Sequence, residues 1–144
     1  MNNKILVVDD NPADRKILAS LLQTTGEVIE ASTGAEALRI IEAERPRLML
    51  LDMVMPGMSG LEVLKACQAS AVMMPIIVLT SQNDIELAKR ALELGAVEYI
   101  TKPFVLSNLK EKVESCVQAV PKDKRKDDGR PWRIVGPNDV PPRS

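Results

Sequence analysis

Leu48-Met49-Leu50-Leu51-Asp52 is a short apolar run that ends on an acid and breaks at once into the turn-rich Met53-Val54-Met55-Pro56-Gly57-Met58-Ser59-Gly60. An apolar run of this length, without polar alternation, fits a strand covered on both faces, as strands of parallel sheets are. The same arrangement recurs on either side of it. Ile5-Leu6-Val7-Val8 leads into Asp9-Asp10, Ile76-Ile77-Val78-Leu79 into Thr80, and Tyr99-Ile100-Thr101 into Lys102. Strands of a parallel sheet all end on one edge, so these polar groups converge in a single crevice. Three acids, a hydroxyl and an ammonium meeting there describe a divalent-cation site beside a carboxylate able to accept a phosphoryl group.

Helical patterns fill the intervals. Asn11 is placed to cap a first helix with Pro12 at its first position, where a missing N–H costs nothing. Ile17, Leu18, Leu21 and Leu22 give that helix its apolar stripe, and Gly26 is read as its end. After a short second strand at Val28-Ile29-Glu30-Ala31, Thr33-Gly34-Ala35-Glu36 has capping-box spacing, and Pro46 closes the helix that follows. A third helix runs from about Leu61 to Ala69. Asn83-Asp84-Ile85-Glu86 repeats the capping spacing before a fourth, which stops at Gly95. A fifth strand from Val97 to Thr101 precedes a last helix from Leu106 to Val120. Strands alternating with helices predict an α/β fold, a parallel sheet with helices on both faces.

At 144 residues the chain is one domain by size, long enough to bury a core. No stretch is apolar enough to span a bilayer and no leader with a cleavage site precedes the first strand, so a cytoplasmic protein without membrane partners is expected. The sequence has no histidine, which excludes His-ligated zinc, Ser-His-Asp chemistry and a phosphohistidine on this chain. Cys67 and Cys116 lack any paired spacing and are expected as free thiols. From Pro121 onward, seven Lys or Arg face four Asp, while the chain as a whole carries −1. An acidic body with a mildly basic tail does not look like a nucleic-acid surface. Residues 121–144 are a charged, Pro/Gly-rich stretch, expected to be a disordered tail or linker. Trp132-Arg133-Ile134-Val135 is its one segment suited to docking.

Clustered carboxylates resist joint ionisation: two unit charges ~4 Å apart repel by roughly 4 kcal/mol at an effective dielectric near 20. The cluster needs a cation, and all-oxygen ligands select a hard one such as Mg²⁺. With that charge and Lys102 in place, a carboxylate can attack a phosphoryl group whose oxygens are held. Thr80 offers an O–H donor to one of them.

Taken together, Asp9-Asp10 after Leu6-Val7-Val8, the run from Asp52 to Gly60, Thr80-Ser81, Tyr99 and Lys102-Pro103-Phe104 resemble, in order and spacing, the receiver domain of bacterial two-component response regulators over residues 1–120. The resemblance implies a doubly wound, flavodoxin-like sheet of order 2-1-3-4-5. It implies Asp52 as phosphoacceptor, supplied by a sensor histidine kinase or phosphotransfer protein. Asp10, Asp52 and the backbone carbonyl of Val54 would bind Mg²⁺, with Asp9 acting through water. Lys102 would pair with the phosphoryl group, from a Lys102–Pro103 bond expected to be cis. Thr80 would swing toward it, and Tyr99 would repack, altering the face of the fourth helix, fifth strand and fifth helix around Lys89, Arg90, Tyr99 and Lys110. The protein would not be a turnover enzyme beyond its own phosphoryl transfer and slow autodephosphorylation. Output would pass to a downstream protein, a C-terminal effector domain, a phosphorylation-induced homodimer or the next member of a phosphorelay.

Other readings fit less well. A haloacid-dehalogenase-type phosphatase also uses an Asp nucleophile and Mg²⁺, but wants a second Asp two residues on, where this chain has Val54. Nucleotide or flavin binding wants a Gly-rich loop after the first strand, and Asp9-Asp10-Asn11-Pro12 would instead repel phosphate. A receiver-like module acting unphosphorylated would not need the full set of acids, Thr and Lys.

Overall fold

The computed structural model describes residues 3–119. Strands β1 (Lys4–Val8), β2 (Glu27–Ala31), β3 (Leu48–Asp52), β4 (Ile76–Ser81) and β5 (Glu98–Lys102) alternate with helices α1 (Pro12–Leu22), α2 (Gly34–Glu44), α3 (Gly60–Ala69), α4 (Ile85–Glu93) and α5 (Leu106–Ala119). All pairings are parallel and the order is β2-β1-β3-β4-β5. This is the doubly wound, flavodoxin-like α/β sheet that the resemblance implied.

Side-chain alternation along the central strands divides the core in two. Leu6, Val8, Met49, Leu51 and Val78 point to one face, where Ile41, Val63, Leu64 and Ala91 of α2, α3 and α4 cover them. Ile5, Val7, Leu48, Leu50, Ile77 and Leu79 point to the other, beneath Leu18 and Leu22 of α1 and Leu109 and Val113 of α5. Every residue of β3 is buried. That explains why its sequence is apolar without interruption until Asp52.

Local chemistry fixes the connections that carry the site. The Asn11 carboxamide oxygen accepts from the backbone N–H groups of Ala13 (2.9 Å) and Asp14 (3.2 Å), starting α1 immediately after Asp9-Asp10. After β3 the loop turns at Gly57, whose φ of +77° lies where glycine is favoured. Ser59 and Glu62 then form a reciprocal capping box at the start of α3. Gly60 is pressed onto that loop: a Cβ there would lie 2.6 Å from Met53 Cα and 2.7 Å from the Asp52 carbonyl oxygen.

Some boundaries differ from the sequence reading. α1 stops at Leu22, four residues before Gly26, which donates its N–H to the Leu22 carbonyl (3.1 Å) and sits just ahead of β2, where a Cβ would fall 2.3 Å from the Asn3 carbonyl oxygen. The segment after β4 first makes a 3-10 turn at Gln82–Asp84, so Asn83 is not the cap and α4 begins at Ile85, one residue later than that spacing places it. Glu36 reaches back to the N–H of Ser32, one residue ahead of the Thr33 cap. The Lys102–Pro103 bond is cis. The expected tail at 121–144, with Trp132, lies outside the described residues. Among the described residues, no helix is long and apolar enough to cross a membrane, and Cys67 and Cys116 are free thiols.

Candidate functional site

Asp9 leaves β1 with its backbone held at both ends. Its N–H donates to the Ala31 carbonyl (3.1 Å), and its carbonyl accepts from Arg15 Nη1 (2.8 Å). Its side chain is wholly buried, with Oδ1 accepting from the Asn11 N–H at 2.9 Å. Asp10, the next residue, is exposed at the mouth. Asp52 closes β3 at 5% exposure, and the Val54 N–H donates to its Oδ1 at 3.1 Å. Carboxylate oxygens of Asp9, Asp10 and Asp52 all lie within 4.8 Å of one another.

Lys102, the last residue of β5, reaches across the strand ends into this cluster. Its Nζ stands 2.9 Å from Asp9 Oδ2, 3.0 Å from Asp14 Oδ2 and 3.4 Å from Asp52 Oδ2. Phe104 lies beside it, with the ammonium 5.9 Å from the ring centre. Burial opposes the lysine's charge, but the hydrogen bonds to Asp9 and Asp14 and the charges of Asp52 and Asp9 outweigh it, holding its pKa above the ordinary value. The ammonium is therefore a fixed positive charge.

The opposite holds for Asp52. Burial pushes its carboxyl up to about 7, the Val54 N–H and Lys102 pull it down, and the neighbouring Asp9 and Asp10 push it up again. One lysine does not neutralise this cluster of acids. The excess charge, the all-oxygen donor set and the short separations fit a hard divalent cation.

The structure thus brings Asp9, Asp10, Asp52 and Lys102 together. Val54, two residues after Asp52, is 59% exposed, and its backbone N–H, bonded to Asp52 Oδ1, lies beside the cluster. Thr80 is buried at the end of β4, one residue beyond Leu79, the cross-strand partner of Asp52. Its hydroxyl donates to the Asp84 carbonyl at 3.3 Å, toward the turn before α4. Tyr99 is half-buried three residues before Lys102 and outside the crevice. Lys112 of α5 donates to its carbonyl (3.2 Å) and lies 5.6 Å from its ring centre.

The sequence reading missed Asp14. Its position in the first turn of α1, directly after the acid pair and its Asn11 cap, was the available signal. An acid there reads as a partner of the helix dipole, and its ion pair joins residues 88 apart in sequence.

A doubly wound sheet with an acidic crevice at its strand ends, entered by one lysine, is the class of fold and site that this chain presents. The response regulator receiver domain family matches residues 5–114, and the chain belongs to that family. Among curated relatives, it is 36% identical over 115 residues to sporulation initiation phosphotransferase F of Bacillus subtilis, covering 79% of this chain and 93% of the relative. It is 38% identical over 140 residues to the alkaline phosphatase synthesis transcriptional regulatory protein PhoP of the same organism, covering 94% of this chain and 58% of PhoP. The chain therefore spans little more than half of that longer relative. Among solved structures, the chemotaxis protein CheY4 of Vibrio cholerae superposes with a TM-score of 0.74 at 29% identity, covering 81% of this chain and 99% of CheY4. The NtrX receiver domain of Brucella abortus gives 0.76 at 31%, with 81% and 99% covered.

Proposed function

We propose that this receiver domain is a switch phosphorylated on Asp52. The observation that carries the proposal is the placement of Asp52, whose Oδ2 lies 3.4 Å from the permanently charged Lys102 and whose carboxylate comes within 4.8 Å of those of Asp9 and Asp10. Asp10, Asp52 and the Val54 backbone carbonyl are the groups to hold Mg²⁺, with Asp9 acting through water. The ion, when bound, neutralises charge on the transferring phosphoryl group. An Asp52 carboxylate oxygen forms the new O–P bond as the donor's P–N bond breaks, and the electron pair stays on the donor imidazole. Lys102 binds the phosphoryl oxygens, and Thr80 turns its hydroxyl from Asp84 toward them. Tyr99 then repacks and alters the α4-β5-α5 face.

The phosphodonor in this reading is a sensor histidine kinase or a phosphotransfer protein. Output goes to a downstream protein, a C-terminal effector domain or a homodimer. The near full-length match to a sporulation phosphotransferase supports a second reading of the output, a carrier in a phosphorelay.

Incubation with acetyl phosphate and Mg²⁺, followed by borohydride reduction of the acyl phosphate, should tag Asp52 alone. Full labelling of Asp52→Asn, or a tag on another acid, would refute the assignment.

A further inference from the structure

An ammonium has three N–H donors, and three carboxylates stand around that of Lys102. Asp9 and Asp14 lie closest, at 2.9 and 3.0 Å, and Asp52 is the most distant at 3.4 Å. Resting on the phosphoacceptor reading, we propose that Asp14 is a positioning residue that restrains Lys102, competing with the incoming phosphoryl group for the lysine and slowing its transfer to Asp52.

Asp14 is held for this task by α1. Pro12 fixes the first helical position, and the Asp14 N–H donates to the Asn11 side chain at 3.2 Å. The carboxylate therefore projects from the first turn toward the strand ends and draws the ammonium toward the helix.

The two close partners are not equivalent. Asp9 is wholly buried, so separating it from Lys102 would leave a charge without solvent. The Asp14 side chain is 27% exposed, and water can replace the lysine there. Asp14 is the partner that yields. During transfer, an Asp52 oxygen attacks phosphorus, the bond to the leaving group breaks with its electron pair, and negative charge on the phosphoryl oxygens draws Lys102 donors. One of those donors has first to leave Asp14.

Asp14 also adds a fourth acid to a site with one lysine, which repels an anionic donor but attracts a divalent cation. Neutralising it therefore pushes two measurements in opposite directions. With Asp14→Asn, the rate of Asp52 labelling by acetyl phosphate at saturating Mg²⁺ should rise on the order of fivefold. The Mg²⁺ dissociation constant, read by NMR without any phosphodonor, should increase by a few-fold. Asp14→Glu should return both toward wild type.

An Asp14→Asn rate equal to or below wild type at saturating Mg²⁺ overturns the restraint. A joint loss of rate and Mg²⁺ affinity, which a structural role would give, overturns it too. Labelling of wild-type Asp52 is read in the same experiment. Its absence defeats the phosphoacceptor reading itself, whereas normal labelling with an unchanged mutant defeats the restraint alone.

Discussion

Asp52 is an acid placed where its charge is disfavoured, and this has a measurable consequence for stability. Its carboxyl in the metal-free fold is raised to about 7 from an ordinary 3.8, chiefly by burial. The folded state then binds the proton more tightly than the unfolded chain. That contribution is complete below the unfolded value and is lost as pH rises through about 7. Asp52→Asn removes it, so in chelator the mutant's stability advantage should grow with pH and level off above neutrality, reaching a few kcal/mol in order of magnitude. Urea melts of both proteins across this range test it, and a pH-independent difference would show that burial does not control the group. Saturating Mg²⁺ should shrink the difference, because it stabilises the wild-type carboxylate. At this scale much of the candidate site was legible in the sequence. Asp9, Asp10, Asp52 and Lys102 each end an apolar run, and parallel strand ends share an edge. Asp14 was not legible, because its role depends on where a lysine 88 residues away points its ammonium.

The elements were legible for a related reason. Runs such as Ile5-Leu6-Val7-Val8 and Ile76-Ile77-Val78-Leu79 have no polar alternation, and burial on both faces is the environment that permits this. What escaped were the ends, where single backbone contacts decide. Gly26 was read as the helix stop; α1 ends four residues earlier, at Leu22, and Gly26 both bonds the Leu22 carbonyl and lies close to the Asn3 carbonyl ahead of β2. Ser59-Gly60-Leu61-Glu62 has the same capping spacing as Thr33 to Glu36, and only the structure revealed it as the complete box. The glycines around β3 give a test at this level. A Cβ at Gly60 meets the backbone of Met53 and Asp52 first, at 2.6 and 2.7 Å, and the Met53 sulfur next, at 2.9 Å. Gly60→Ala should cost about 1–3 kcal/mol by overpacking and shift the Asp52 and Met53 amide resonances. Gly57→Ala has open space but a φ of +77°, so it should cost about 1–2 kcal/mol while leaving the Asp52 resonance in place. Equal perturbation of Asp52 by both substitutions would contradict the packing of α3 onto this loop.

Across the whole molecule, the proposed switch needs a path from Asp52 to the outer face, and Thr80 and Tyr99 stand at its two ends. Thr80 bonds the Asp84 carbonyl in the turn before α4, so moving its hydroxyl removes one of two side-chain bonds on that turn, the other running from Ser81 to the Asp84 carboxylate at 2.8 Å. Tyr99 lies on β5 against Lys112 of α5, which also pairs with Glu98 at 3.5 Å. For phosphorylation to move the population, the two packings must differ by only a few kcal/mol, and a new contact must favour one of them. The phosphoryl oxygens offer that contact to Thr80. Beryllofluoride with Mg²⁺, as a phosphoryl mimic, should therefore change amide exchange across α4, β5 and α5, around Lys89, Arg90, Tyr99 and Lys110. Partner binding or self-association should change on the same face. Thr80→Ala should still label on Asp52 but show a smaller exchange response, because it keeps the nucleophile and loses the differential contact. A mutant that responds like wild type would remove Thr80 from the path. If beryllofluoride leaves this face unchanged in the wild type, the domain is a passive phosphoryl carrier, and the relay reading of its output takes the place of the switch.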